Sequence, residues 1–485
     1  MTEPGADQPK VGVDEWVAQY ERRRARRTGT LGFVYRAWED VPRPAWMASL
    51  VLLAVLFGIF ATNSGNVRIG INTILFALLA LGLNVVVGWA GLLDLGYVAF
   101  YGFGAYMYAF VASSKFDIHL PTPAAVVVVV AATALLGLLL GLSSWRLLGD
   151  YLAIVTLFFA QIFLVVTTNG NRINLPWKEE ATDITGGPNG IPGVDAFSVA
   201  GTQAVDVKTY YWIALGAFVL VVSALYFLND SRTGRAWRAL REDPLAAEAM
   251  TMPVNRLKLL AFMFGAATAG LTGSIFAAVQ IGVFPQNFQL FLLITVYAMV
   301  ILGGAGSIGG VVVGAVTIGV TLEILRDADW GRVIFYALLV VGAVVLVRTW
   351  QAAVGLVTAV LVFGMVVHEL VGALWPRGVE RAPLAEEGPF AGLVDGWMLL
   401  PTRPGTLGNV AFVVLVLGIL ALTLARGWPR IAGAVPVLYV AAFVWENKLI
   451  FQPSITRFLL VGAVLIFVMN LRPQGLMGTA RVEIV

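Results

Sequence analysis

The chain has 485 residues, 59% of them hydrophobic and only 13% charged, with a formal net charge of +3. A soluble chain carries about twice that charged fraction because its surface must face water, so a soluble globular fold is excluded and a lipid-facing surface is implied. There are no cysteines and only two histidines, His119 and His368, which removes disulfides, thiolate metal sites and cysteine nucleophiles and leaves little room for histidine chemistry.

Residues 1–44 hold a basic run, Arg22, Arg23, Arg24, Arg26 and Arg27, ahead of the first apolar segment. Taken alone, such a run could bind nucleic acid. Its position favours a cytoplasmic anchor beside anionic lipid, under the positive-inside bias, with no nucleic-acid partner. The first apolar segment starts near Pro44, too far in for a standard signal peptide.

A membrane-crossing helix needs about 20 apolar residues. Segments that meet or approach this lie near 45–62, 69–89, 97–113, 121–145, 150–168, 209–228, 258–281, 289–303 and 307–325, then near 333–348, 351–375, 407–425, 430–445 and 455–470. The pattern predicts an all-α, polytopic helical membrane protein of about fourteen spans, the shortest of them re-entrant or tilted. With the N-terminus inside, alternation places 169–208 outside and 229–257 inside. The second loop carries Arg232, Arg235, Arg238, Arg241, Arg256 and Lys258, the first only Arg172, Lys178 and Lys208. The Arg426–Arg430 turn and the tail with Arg472 and Arg481 also fall inside, so both termini are expected in the cytoplasm.

Polar residues inside apolar spans are costly and become site candidates by default. Asn84, Thr156, Gln161, Gln280 and Glu323 qualify. Asn84, Thr156 and Gln161 are candidates for lining a path, against the plainer reading of hydrogen bonds between helices. Glu323 and Arg326 share a helix face, which favours a local ion pair. Asp94, between glycine-rich stretches, is expected at the inner boundary, in solvent. His368-Glu369 lacks the second histidine of a zinc-protease motif, because Gly372 stands there. Gly306, Gly310 and Gly314 fit close helix packing better than phosphate binding, since no Gly-Lys-Ser/Thr follows.

The charged loop is the most informative segment. Residues 241–250 read Arg241-Glu242-Asp243-Pro244-Leu245-Ala246-Ala247-Glu248-Ala249-Met250. Asp243 suits an N-cap, Pro244 the first helical position, and Pro253 ends the helix. A short, rigid, charged helix between two spans suits either force transfer to a soluble partner or an ordinary interfacial helix. Here the sequence resembles the coupling loop of ABC importer permeases, and more closely the LivM-type branched-chain amino-acid permease family. The resemblance is carried by Gly234 to Asp243, Ala246-Ala247 and Lys258 to Phe262. It continues in Leu83 to Gly104-Ala105-Tyr106, Gly149 to Leu157, Ile184 to Ile191, Gly303 to Ser307 and Arg472-Pro473-Gln474-Gly475-Leu476, in family order.

The resemblance implies a non-enzymatic subunit without cofactor or metal, in the inner (plasma) membrane, that moves branched-chain amino acids by alternating access. It implies ATPase subunits, a second homologous permease and an external substrate-binding protein as partners. It also implies that Arg241, Glu242, Asp243, Pro244, Ala246, Ala247 and Glu248 couple to the ATPases. The missing P-loop agrees, since the ATPase must then be another chain. Urea or short amides are the alternative substrates. An ion-coupled transporter and a non-transporting scaffold are the alternative classes. Three positions depart from the family pattern. Thr251 replaces the glycine after the coupling helix, and a β-branched residue resists a left-handed cap, so a tighter or re-angled helix end is expected. Asp94 stands for a usual serine and Gln161 for a frequent glutamate. The expected organisation is a basic extension at 1–44, a core at 45–344, an insert of about four spans at 345–454 that should pack at the periphery, and a final core helix and tail at 455–485.

Overall fold

The structure is a computed structural model that describes residues 43–143, 149–172, 182–199, 202–204, 206–326, 328–347, 350–375, 397–399, 404–425, 427–449 and parts of 458–477. The arginine run at 22–27, the loop around 376–396 and Arg472-Pro473-Gln474 lie outside the described residues.

The first half of the bundle consists of α1 (Arg43–Phe60), α2 (Ser64–Leu83, continued by a π-turn over Asn84–Trp89), α3 (Tyr97–Val111), α4 (Thr122–Ser143), α5 (Asp150–Asn169) and α6 (Val207–Asp230). After the charged loop come α9 (Val254–Gln280), α10 (Leu290–Gly303), α11 (Ile308–Ile324) and α12 (Ala328–Val347). α2 and α9 are the interior helices, with 72% and 61% of their apolar windows buried, whereas α4 and α5 reach only 28% and 22%. Small residues make the interior possible. A Cβ added at Gly104 of α3 would stand 2.5 Å from Gly270 Cα of α9, so the two backbones touch where lipid supplies no hydrophobic drive for association.

The polytopic all-α fold is as predicted. Among the described residues nine helices are long and apolar enough to cross a membrane, with three shorter apolar helices at Met47–Phe60, Tyr97–Val111 and Ile308–Ile324. α3 follows residues 90–96, of which Ala90, Asp94 and Gly96 are buried. Segment 455–470 falls partly outside the described residues.

The connections collect at two ends. One end holds the π-turn, residues 90–96, the charged loop and the 304–307 turn. At the other, β1 (Ala112–Ser113) pairs with β2 (Ile118–His119), β3 (Ile191–Pro192) pairs with β4 (Gly282–Val283), and Ser113 bridges to Val194. Gly186, Gly187 and Gly190 take positive φ in this second cluster, as the Gly-Gly-Pro-Asn-Gly turn signal requires. Lys115 pairs with Asp183 at 3.0 Å, and His119 Nδ1 lies 2.6 Å from Asp195 Oδ2. That hydrogen bond, and then the charge of Asp195, raise the His119 pKa above its ordinary 6.5. A raised folded-state pKa means that the stabilisation is fully present below the ordinary value and is lost as pH rises through the raised one. Exchange protection of the 112–119 amides, corrected for intrinsic rates, should therefore fall as pH rises above neutral. His119→Asn should remove that pH dependence.

The last helices, α13 (Trp350–Leu374), α14 (Pro404–Leu424) and α15 (Trp428–Val444), pack on α12 and on one another. Their apolar clusters, around Trp397 with Tyr439 and around Leu356 with Ala434, are separate from the main core. The joint to the core is aromatic and polar. Phe335 of α12 stacks on Trp445 at 4.2 Å, Leu325 packs beside them, and Tyr336 Oη donates to the buried Glu446 Oε1 at 3.0 Å. His368 Nδ1 lies 3.1 Å from the Met398 carbonyl, a backbone partner of the kind expected for a structural histidine. Glu323 and Arg326 meet at 3.4 Å, the expected i,i+3 pair.

Candidate functional site

The charged loop begins where α6 ends. Ser231 caps the next helix, its Oγ accepting from the Gly234 N–H at 3.2 Å. That helix, α7 (Arg232–Glu242), is amphipathic, with Gly234, Trp237 and Leu240 buried on one face. Trp237 stacks on Trp89 of the π-turn at 6.2 Å and donates from Nε1 to the Leu257 carbonyl at 2.8 Å. On the opposite face Arg235 and Arg238 donate to the carbonyls of Asp230 and Asn229, at 2.8 and 3.2 Å. These carbonyls belong to the negative end of α6, so the arginines that set the charge bias also cap a helix.

At Asp243 the backbone turns extended, φ −152 and ψ 107, and the short helix α8 (Pro244–Ala249) starts. The Asp243 carboxylate accepts from the Leu245 and Ala246 N–H groups at 2.8 and 3.1 Å, the predicted cap. Arg241 and Glu242 thus belong to α7, on the other side of the break. The end of α8 corrects the expectation for Thr251. This residue adopts the left-handed conformation itself, φ 60, while its N–H donates to Glu248 O and that of Met252 to Ala247 O, at 2.9 and 3.1 Å. A left-handed cap is formed all the same, at the cost of strain on a β-branched residue. Thr251→Gly should relieve about 1 kcal/mol of that strain, less part of the flexibility that glycine restores to the unfolded loop. Slower proteolysis of the 244–252 loop is the expected readout.

α8 presents an unusual surface. Ala247 turns inward, 4% exposed, while Glu242, Asp243, Pro244, Ala246 and Glu248 face outward. Leu245 and Met250, 76% and 74% exposed, stand among these carboxylates. Neither is marked out by the charges and the alanines of the loop sequence. Two large apolar side chains on the solvent side of a capped helix were the available signal.

Arg241 points the other way. Its Nη1 donates to the carbonyl of Gly88 in the π-turn and, at 3.4 Å, to that of Ala305. The Gly306 N–H donates to Asn84 Oδ1 at 2.7 Å, and Trp89 Nε1 donates to the Gly306 carbonyl at 3.0 Å. Gly306 sits at φ +95, and a Cβ there would approach Arg241 Nη1 to 2.7 Å, so the turn needs glycine on both counts. The Leu476 and Met477 N–H groups donate to the carbonyls of Leu302 and Gly303, at 2.8 and 3.0 Å. Segments far apart in sequence, Leu83–Gly91, Gly234–Asp243, Gly303–Ser307 and Gly475-Leu476, therefore meet at one end of the bundle.

The three path candidates do not converge. Asn84 is fully buried and makes the interhelical hydrogen bond to Gly306. Thr156 is also fully buried, its Oγ1 accepting from the Leu95 N–H at 2.9 Å and donating to Ala153 O at 3.1 Å. Gln161 lies exposed on the outward face of α5. Asp94 corrects the sequence reading. It is fully buried rather than solvated, because 90–96 fold between α5 and α10. Its N–H donates to Tyr297 Oη at 3.1 Å, Tyr297 Oη donates to its carbonyl at 2.7 Å, and its Oδ1 accepts from the Gly96 N–H at 2.9 Å. Such a fold-back depends on contacts remote in sequence and leaves no local mark.

Comparison with known proteins agrees with this arrangement. The high-affinity branched-chain amino acid transport system permease protein LivM of Escherichia coli strain K12 is 36% identical over 335 residues, covering 64% of this chain and 74% of its own length. The corresponding LivH of Salmonella typhimurium is 25% identical over 285 residues, 55% of this chain and 87% of its own. The ribose import permease protein RbsC of Escherichia coli strain K12 is 26% identical over 322 residues, 62% and 94%. No solved structure matches. The family model for the permease component of branched-chain amino acid transport systems matches residues 67–348, which takes in α12 and stops short of α13. On that match, which covers more than half of its length, the chain belongs to the branched-chain amino acid transport permease family, a family of membrane transporters and not of enzymes.

Proposed function

We propose that this permease imports branched-chain amino acids through the inner (plasma) membrane, driven by ATP hydrolysed on partner ATPase subunits. The observation that carries the reading is the two-sided loop. Its outer helix offers Leu245 and Met250 among carboxylates, and its inner arginine holds the carbonyls of Gly88 and Ala305. A partner pressing on α8 would shift α7 about the Asp243 break. Arg241 would pass that shift to the π-turn of α2 and to the α10–α11 turn, and through residues 90–96 to Thr156 and Tyr297. Asn84 and Thr156 then act as ties within the moving part, while Gln161 keeps its candidacy for the path. The choice of substrate is supported by the higher identity to LivM than to RbsC. In the same reading both termini face the cytoplasm, about ten spans form the core and about four more form the insert. A second permease and an external binding protein complete the assembly.

The complex reconstituted in vesicles should take up leucine only with ATP, and an ionophore should leave that uptake intact. Uptake that continues without ATP and collapses with the ionophore would sink the ATP-driven reading. Uptake of urea in place of leucine would move the substrate to short amides.

A further inference from the structure

The connection between α2 and α3 carries a carboxyl group, Asp94, that is fully buried. Only one of its two side-chain oxygens has a partner. Oδ1 accepts from the Gly96 N–H at 2.9 Å, while Oδ2 is buried and makes no hydrogen bond. The surroundings bring no positive charge to it. Tyr97 of α3 and Tyr297 of α10 are the ionisable side chains that face it. α5 places Thr156 against Leu95 and Phe159 against Gly96, neither of them ionisable. The π-turn, Asn84–Trp89, holds no ionisable side chain. Arg241 of α7 lies against Gly91, three residues away, with its guanidinium on the carbonyls of Gly88 and Ala305. Among the described residues no cation pairs with Asp94. A carboxylate taken out of water without a countercharge binds a proton instead.

We propose that Asp94 is a proton-binding site that ties import to pH: the neutral acid keeps residues 90–96 seated in the bundle, and loss of its proton to water unseats them. An ionised Oδ2 requires water or a cation. Either can reach it only if the segment parts from its neighbours, giving up the Leu95 N–H bond to Thr156 and the two Tyr297 bonds to the Asp94 backbone. Gly91, on the same segment, rests on Arg241. Unseating therefore breaks the line from the charged loop to the core. Burial agrees with this, pushing the carboxyl up from 3.8 to about 7 against the pull of the Gly96 N–H. Because the raised value belongs to the seated state, seating is fully favoured below the ordinary 3.8, weakens as pH climbs, and is least favoured once pH has passed about 7. The effect on import rests on the permease reading above, whereas the proton site itself does not.

The test uses the whole transporter in lipid vesicles. Amide exchange of residues 90–96, corrected for intrinsic rates, reads the opening of the segment. Opening should rise about tenfold between about pH 6 and pH 8, the change that a single site centred near 7 gives over that interval. Asp94→Asn, which keeps an acceptor for the Gly96 N–H, should remove the rise. Asp94→Ser, also neutral at every pH, is the second variant should the first fail to assemble. Leucine uptake by the native transporter should fall over the same interval while ATP hydrolysis continues, and the neutral variants should lose that fall. Opening that does not change with pH in the native chain, an unchanged slope in the neutral variants, or uptake indifferent to the opening would overturn the proposal. If exchange behaves as expected but the native transporter shows no ATP-driven uptake at any pH, the permease reading fails and the proton site stands.

Discussion

Replacing Arg241 with alanine is expected to leave the ATPase subunits bound while lowering amino-acid import about a hundredfold. A hydrogen bond from a charged donor contributes roughly 1.5–3 kcal/mol, and Arg241 makes one to Gly88 O and a longer one to Ala305 O. Losing about 3 kcal/mol of contact between the loop and the core corresponds to about two powers of ten in the population of a correctly linked state. The side chain is turned inward, away from the exposed face of α8, so docking should be spared. Arg241→Lys should recover import only in part, because a point charge cannot serve two carbonyls as the planar guanidinium does. The measurements are leucine uptake, ATP hydrolysis and co-purification of the ATPase from the same membranes. A variant that hydrolyses ATP and imports at the native rate would remove Arg241 from the transmission line.

The second large effect lies on the outer side of the same loop. Leu245→Glu combined with Met250→Glu should release the ATPase subunits and abolish uptake. Buried apolar anchors at protein interfaces are each worth about 2 kcal/mol or more, so losing two of them weakens binding about a thousandfold. Added carboxylates next to Glu242, Asp243 and Glu248 would deepen the loss. Co-purification measures it directly, and Glu248→Gln, which keeps both anchors, should retain the ATPase. Retention by the double variant would mean that the partner grips the loop elsewhere. Together the two experiments separate docking from transmission: one variant should hold an ATPase it cannot use, and the other should fail to hold it.

What the sequence showed and what it hid divides along the range of the interactions. Helix positions were legible because each span announces itself by its own run of apolar residues. α9, expected near 258–281, occupies Val254–Gln280. The Asp243 cap was legible because donor and acceptor lie within three residues. The left-handed turn at Thr251 was hidden, since the residue itself opposes the conformation that the loop imposes. Arg241 lies in the charged loop, yet nothing nearby in sequence indicates that its partners are carbonyls at 88 and 305. The burial of Asp94 was missed for the same reason, because it depends on Tyr297 and on the packing of α5 against residues 90–96.

The C-terminal contacts bear on the order in which the protein can be made. The N–H groups of Leu476 and Met477 cap the carbonyls at the end of α10, Gly475 lies against Gly304, and Phe458 stacks on Phe291 at 4.8 Å. α11 to α15 all lie between these partners in sequence. During synthesis, the end of α10 and the glycine turn that Arg241 grips must wait, uncapped, while those helices are made. The turn is complete only after residues 475–477 have been made, because a contact so distant in sequence closes late. A chain cut short between 350 and 454 would hold every helix of α1–α12 and still lack the strap that closes this end of the bundle.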